Sequence, residues 1–419
     1  MSGSGTAASG TGQTVAEAEA ALENLARTGA EPPWRLAQRR EALAAFTALP
    51  MPDPLRDEDW RRTRLDGLEL HSRPVQALGV FAIEGLAEPA RQAGAVACRL
   101  GEALTAQPEL VRRHLGSALA PGAGKFVALA QALAQDGAFV WVPDGVELQA
   151  PLVVRDGIEG PEAGFGAFRH TVVVLGAQAR AHLVVVQRSP ADRRPGLVCS
   201  AVEVVLGPGA QLRYTQVQDL GPGVVRLECR RALVGRDAEL AWTDCELGAR
   251  LARAEVETVL GEPGGTVTTG GLSFGHRRQH LDVLQRVLHV ARHTTSDLAH
   301  RIALRDRARS VFRGIVIMQK GCAGASSQQH AASVLLSPEA RSDAIPSLFI
   351  DEDDVRAGHG ATSGPVDERV LFYLMSRGIP RPLAERLVLE GFFAPVLARL
   401  ANTPVYDELQ HRIDQKIGA

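Results

Sequence analysis

The sequence predicts a mainly β fold: a stacked β-solenoid over about residues 138–350, with helical regions before and after it. Three observations carry that prediction. First, short runs of Val, Leu and Thr alternate with Gly, Pro and Asp turns from about Ala138 onward. Examples are Phe139-Val140-Trp141-Val142, Leu152-Val153-Val154, Thr171-Val172-Val173-Val174 and Leu183-Val184-Val185-Val186. Their β-branched content and short length favour strands. Second, an apolar residue followed four positions later by a small one recurs at Leu175/Ala179, Leu206/Ala210, Val234/Ala238, Leu260/Gly264 and Leu304/Ala308, in steps of 31, 28, 26 and 44 residues. Periods of this size mark stacked repeats, whereas a β-sandwich would turn at shorter intervals without long-range register. Third, no convincing helix separates the strands, so an α/β sheet is not expected.

Taken in order, residues 1–14 are rich in Gly, Ser, Thr and Ala and lack a basic or apolar leader segment, which predicts a disordered tail. Residues 15–135 read as mostly helical. Val15, Ala18, Leu22 and Leu25 fall near helical spacing, as do Leu36, Leu43 and Phe46. Pro50, Pro52 and Pro54 then break the pattern, and Asp57-Glu58-Asp59-Trp60-Arg61-Arg62-Thr63 follows as a charged, aromatic turn. Residues 80–135 are rich in Ala and Leu, and from Leu100 they read as helices. The β core is expected over 136–364. Residues 365–419 are expected to be helical, with Val370, Leu371, Leu374 and Met375 on one face and Gly378 and Pro380 as the stop.

Composition narrows the function. Hydrophobic residues make up 45% of the 419 but aromatics only 5%, so a large core must be built mainly from Val, Leu and Ala. A formal net charge of -2 argues against a nucleic-acid or polyanion binder. No apolar run approaches the roughly 18 residues needed to span a bilayer, and a cytoplasmic protein is expected. The five cysteines (Cys98, Cys199, Cys229, Cys245 and Cys322) are scattered, with no Cys-x-x-Cys. That argues against a disulfide framework and against a self-contained zinc or iron–sulfur site; they are expected to be small buried apolar residues.

Several motifs compete for attention. Gly122-Ala123-Gly124-Lys125 fails as a phosphate loop, because Leu119 and Phe126 stand where glycine and a hydroxyl residue are needed. Gly271-Leu272-Ser273-Phe274-Gly275 fits a nucleophile elbow, but its flanks are β-like on both sides, so a glycine-rich solenoid corner is expected instead. His276, His280, His289, His293 and His300 would converge on a metal only if they lay on a helix. On strands, residues four apart are separated by roughly 13 Å, and half-exposed structural histidines are the expectation. His359 differs. Gly358 and Gly360 uncover it and permit unusual backbone angles, and Asp351, Glu352, Asp353 and Asp354 lie just upstream. An imidazole there could be an iron ligand, with the remaining ligands supplied by a partner.

Residues 311–393 carry a long ordered series: Phe312-Arg313-Gly314-Ile315-Val316, Gln328-Gln329, Leu335-Leu336-Ser337-Pro338, Pro346-Ser347-Leu348-Phe349-Ile350, Asp353-Asp354-Val355, His359-Gly360-Ala361-Thr362-Ser363-Gly364, and Leu371-Phe372-Tyr373-Leu374-Met375-Ser376-Arg377-Gly378-Ile379. This series resembles the shared C-terminal core of the SufB/SufD family of iron–sulfur cluster assembly proteins. Weaker similarity reaches back to His293-Thr294-Thr295-Ser296 and Trp60-Arg61-Arg62-Thr63. The His-Gly-Ala-Thr form is similar to the SufD branch, whereas the SufB branch has a Glu beside the histidine.

The resemblance implies a right-handed parallel β-helix between helical flanks. It also implies a non-enzymatic scaffold in a complex with SufB and two copies of the ATPase SufC. SufB would pair through the β-helix ends. SufC would dock on the C-terminal helices, at Phe372, Tyr373, Arg377, Gly378 and Ile379. No cofactor would be held stably by this chain alone. His359 would be a ligand to iron or a nascent cluster shared with SufB. Many relatives have a Cys two residues before this histidine; here it is Ala357, so no thiol acts at that place. Two alternatives stay open: a β-solenoid adaptor without metal chemistry, with a homodimer as one form of the isolated chain, and a serine hydrolase built on Ser273.

Overall fold

A computed structural model describes residues 16, 18–20, 22–24, 27, 31–65, 68, 80–159 and 164–418. The tail expected over 1–14 lies outside the described residues. The helix expected over 15–27 lies partly outside them, and its described positions are helical.

Two nine-stranded sheets form the body. One contains β2 (Val96–Arg99), β3 (Ala138–Val142), β5 (Phe165–Leu175), β7 (Gly196–Leu206), β9 (Val224–Val234), β11 (Leu251–Leu260), β13 (His280–His289), β15 (Arg309–Met318) and β17 (Arg341–Ile350). The other contains β1 (Phe81–Glu84), β4 (Leu152–Gly157), β6 (Arg180–Arg188), β8 (Gln211–Asp219), β10 (Glu239–Glu246), β12 (Thr266–Gly275), β14 (Thr295–Leu304), β16 (Ala325–Leu335) and β18 (Val355–Pro365). Call these the odd and even sheets. From β3 onward each turn of the chain adds one strand to each sheet in parallel register, giving a parallel β-solenoid of about eight turns.

Register explains the repeat in the sequence. Leu175, Leu206, Val234 and Leu260 are Cα partners in successive turns. The first three steps are therefore true turns of the stack, but the fourth is not. His289 is the residue aligned with Leu260, whereas Leu304 ends a strand of the even sheet. A polar residue can hold this buried position because both ring nitrogens are matched, by Thr294 Oγ1 at 2.8 Å and Ser296 Oγ at 2.8 Å. The corners also stack. Gln178, Asp237 and His293 have φ of 57°, 53° and 57°. Each donates its backbone N–H to the next turn, to Pro208 O, Pro263 O and Ala323 O. His293 is thus a corner residue held in the left-handed region by stacking between turns.

Helices cover the outer faces. The N-terminal region holds α1 (Pro33–Ala48), α2 (Glu88–Gln92), α3 (Leu100–Ala106), α4 (Pro108–His114) and α5 (Lys125–Leu133). Apolar residues of α1 and α5, including Leu43, Phe46, Val127 and Leu129, pack on Phe168, Leu197, Cys199, Val225 and Leu227 of the odd sheet. Residues 80–135 are not wholly helical, because they also contribute the four-residue strands β1 and β2. Strands this short are defined by pairing with distant partners, antiparallel to β4 and β3, and leave little local pattern to read.

The C-terminal region holds α6 (Glu368–Ser376), α7 (Arg381–Leu397) and α8 (Tyr406–Gly418). Leu389, Phe393, Val396, Leu409 and Ile413 cover Val184, Val217, Leu272 and Phe274 of the even sheet. Phe393 and Phe274 have ring centroids 5.9 Å apart. Each such side chain contributes about 1.5–3 kcal/mol on burial. Among the described residues no helix is long and apolar enough to cross a membrane.

The turn at 57–63 fastens the N-terminal region to the odd sheet. The Arg253 guanidinium lies 3.9 Å from the Trp60 ring centre, and Arg286 pairs with Asp59 at 2.7 Å. The Thr63 hydroxyl donates to Asp282, which also pairs with Arg253 at 2.6 Å and Arg313 at 2.7 Å. Thr63 and Asp282 are fully buried, so this polar cluster works because its members match one another.

Candidate functional site

The two ends of the solenoid are finished differently. At the start, β1 closes the even sheet by pairing antiparallel with β4, and β2 closes the odd sheet by pairing with β3. β1 and β2 are four residues long, whereas at the other end the edge strands β17 and β18 are ten and eleven residues long and run parallel to their neighbours. β17 is half-buried over most of its length, and Phe349 and Ile350 at its end are 57% and 45% exposed. A long, regular edge carrying apolar side chains is a template for further strand pairing.

His359 sits at the middle of β18, in register with Gln329 of β16. Val355 and Ala357 pack against the interior core. By strand alternation His359 faces the same way, toward the interior of the last turn, and it is exposed because no further turn lies over it. Its glycine neighbours have ordinary negative φ, so they do not bend the backbone as expected. They sit within a regular strand, where a Cβ on Gly358 would approach Gln328 Oε1 to 2.9 Å. The acidic run upstream is partly committed to the fold. Glu352 accepts hydrogen bonds from the backbone N–H of Gly321 at 2.9 Å and of Asp353 at 3.0 Å, which hold its carboxyl below the usual range. Asp354 O accepts from Gly324 N in the preceding corner.

Among the described residues no three His, Cys, Asp or Glu side chains converge as a metal site. His359 could therefore take part in metal chemistry only with ligands from outside those residues. The cysteines add nothing near it. Cys199, Cys245 and Cys322 are buried, and burial pushes their thiols up.

The remaining candidates resolve into structure. The Gly271–Gly275 stretch is not a corner: it lies within β12, with strands on both sides. Ser273 Oγ is 2.9 Å from His300 Nε2, both residues are buried, and burial pushes the His300 imidazole down to about 3. His300 stacks on Phe312, with ring centroids 4.7 Å apart. Gly271 is required because a Cβ there would meet His300 Nδ1 at 1.8 Å. A serine sealed inside a solenoid, on a strand with no turn to expose it, is not a nucleophile elbow. The histidines of 276–300 are not uniformly half-exposed either: His289 and His300 are fully buried, His276 and His280 half-buried, and His293 exposed.

The residues expected to dock SufC fall on α6 and its end. Asp367 caps α6 by accepting from Arg369 N at 2.9 Å. Gly378, at φ 87°, ends the helix with a hydrogen bond from its N–H to Met375 O. Only Leu371 of this helix is buried. Phe372 is 73% and Tyr373 56% exposed, and Arg377 lies 5.2 Å from the Tyr373 ring centre. With Val370, Met375, Leu383 and Leu387 also exposed, this is a concentrated apolar surface.

An interior charge network was missed in the sequence. Arg226 pairs with Glu228 at 2.6 Å and Glu246 at 3.0 Å, and Arg230 pairs with Glu228 at 3.1 Å and Asp244 at 2.6 Å, all buried between the sheets. Burial works against the Arg226 charge, and Glu228 and Glu246 outweigh it, holding its pKa above the ordinary value. The signal was present in the alternation Arg226-Leu227-Glu228-Cys229-Arg230. That alternation places charge on one face of a strand, but the inward direction of that face is fixed only by the stack.

Comparison with known proteins agrees with the geometry. A family described as "SUF system FeS cluster assembly, SufBD core domain" matches residues 158–392, and one described as "SufBD protein N-terminal region" matches residues 79–154. The chain is 28% identical over 425 residues to the iron–sulfur cluster assembly protein SufD of Bacillus subtilis, covering 94% of this chain and 97% of that protein. It is 25% identical over 415 residues to SufB of the same organism, covering 90% and 88%. A SufBD family protein of Staphylococcus aureus is 28% identical over 298 residues, 71% of this chain and 64% of that one.

Proposed function

The chain belongs to the SufBD family of iron–sulfur cluster assembly proteins, and from that premise we propose that it is the SufD-like, non-catalytic scaffold subunit of a cytoplasmic SUF assembly complex. In this reading SufB pairs with the β17–β18 end, the ATPase SufC docks on α6 and α7, and His359 contributes one ligand to iron or to a nascent cluster. The cluster is cargo in transit and belongs to the interface.

The unequal ends of the solenoid carry the reading. One end finishes in two four-residue antiparallel strands; the other offers two long edges, exposed Phe349 and Ile350, and an inward-facing imidazole. A second solenoid continuing these edges would enclose His359 and bring its own side chains opposite it. An imidazole is a common ligand for such metals, and a partner thiolate would complete the set. SufC docking is supported by the apolar surface of α6, which no described residue covers. Nucleotide-driven movement of α6 and α7 could be passed to the even sheet through the packing of Phe393 on Phe274.

Anaerobic co-purification tests the pairing. Wild-type protein should retain SufB and SufC as one complex. Phe349→Lys/Ile350→Lys should lose SufB while keeping SufC and the wild-type melting temperature. Retention of SufB by that variant would remove the open end from the interface.

A further inference from the structure

The corner that leads from the even sheet back to the odd sheet carries a row of arginines without acidic partners. Arg193 precedes β7, Arg250 precedes β11, Arg277 and Arg278 precede β13, and Arg307 precedes β15. They line one groove of about 1020 Å³, with Pro195, Pro222 and Val225 as apolar walls. All five arginines are exposed. Among the described residues none of their guanidinium groups forms an ion pair. One carboxylate, Asp306, also lines the groove and accepts the backbone N–H of Arg277 at 2.7 Å, and nearby Asp192 pairs with Arg194 at 2.8 Å.

Stacking sets the spacing of these charges. Successive turns of a parallel sheet lie about 4.8 Å apart, so the row from β7 to β15 extends roughly 19 Å. His276 lines the groove, and burial together with Lys416 and Arg277 pushes its imidazole down to about 4. Lys416, buried behind it and donating to Gln279 Oε1 at 3.1 Å, is pushed down to about 7 by burial and by Arg412.

We propose that this groove is a docking site for an extended acidic segment of a partner protein, whose carboxylates pair with Arg193, Arg250, Arg277, Arg278 and Arg307 along the stack. Arginine suits the role because its planar fork holds a carboxylate through two hydrogen bonds. A row about 19 Å long fits an extended chain of about six residues better than a compact ligand. Among the described residues no Phe, Tyr or Trp lines the groove, so it lacks the large stacking platforms of a single-stranded nucleic-acid site. The row lies on a corner of the stack and ends at β15, one turn short of β17; it does not use the β17–β18 edges and does not depend on the proposed pairing with SufB.

Fluorescence anisotropy on the full chain tests this, with a labelled peptide of about twelve residues that alternates Glu and Ser, long enough to span the row. Binding should weaken as salt is raised, because exposed charges are screened. Arg250→Ala/Arg278→Ala/Arg307→Ala should weaken it at least tenfold. Arg112→Ala/Arg113→Ala/Arg180→Ala, which removes three exposed charges elsewhere, should change it less than twofold. If the groove variant melts early, Arg278→Ala alone replaces it, with an expected loss of two- to threefold. The proposal is overturned if wild-type protein does not bind the peptide. It is also overturned if the two triple variants lose affinity equally, or if an oligo-dT of similar length binds more tightly than the peptide.

Discussion

Single residues in this protein make sense through what they touch in the next turn. Asp282 is the clearest case: it accepts from Thr63 and pairs with Arg253 and Arg313, all out of contact with water. Removing one member of a buried ion cluster leaves the others uncompensated. Asp282→Ala should therefore lower stability by about 3–5 kcal/mol, read as a lower urea midpoint at an unchanged slope. Buried histidines give a pH signature. Burial pushes His289 down to about 4 and His300 down to about 3, whereas in the unfolded chain both titrate near 6.5. As pH falls the unfolded state takes up these protons first, so the stability present above about pH 6.5 is lost toward pH 4. Each such histidine steepens the loss by at most about 1.4 kcal/mol per pH unit. His300→Gln should flatten the slope between pH 6 and 5 by one proton, measured by denaturation at several pH values. An unchanged slope would mean that His300 is charged in the folded state. Residue roles of this kind were the least legible in the sequence. Gly271 and Ser273 looked like an elbow because the imidazole that lies over Gly271 comes from a strand 29 positions later in register.

At the scale of elements the sequence was more readable. Strand texture, the solenoid period and the C-terminal helices all leave local signals in side-chain alternation and spacing. The period held from Leu175 to Leu260 because each turn repeats an apolar residue there, and it failed where His289 takes the aligned position. β1 and β2 were invisible because pairing alone defines them. Helix α6 carries an element-level prediction. Its apolar residues are exposed, so Phe372→Ala/Tyr373→Ala should change stability by less than about 0.5 kcal/mol. The same variant should reduce SufC retention in pull-downs by at least tenfold. Retention at the wild-type level would remove α6 from the dock. Gly378→Ala, at φ 87°, should cost about 1 kcal/mol by straining the helix stop.

For the whole molecule, the important features are asymmetries that averages conceal. A net charge of -2 gave no hint of the arginine row, because acidic residues elsewhere balance it. The composition could not reveal that one end of the solenoid finishes in short antiparallel strands and the other in long parallel edges, since this follows from which strands find partners. The position of His359 was legible in the sequence. Its inward direction and its exposure were not, because both depend on β18 being the last strand of the stack. In the proposed pairing a second solenoid would continue the long β17–β18 edges and so create the site around His359. Anaerobic cluster reconstitution with SufB and SufC tests this most directly, using His359→Ala in a complex first shown to be intact. The account predicts an assembled complex with less bound iron and slower cluster formation than wild type. Wild-type iron content and rate in that complex would contradict it.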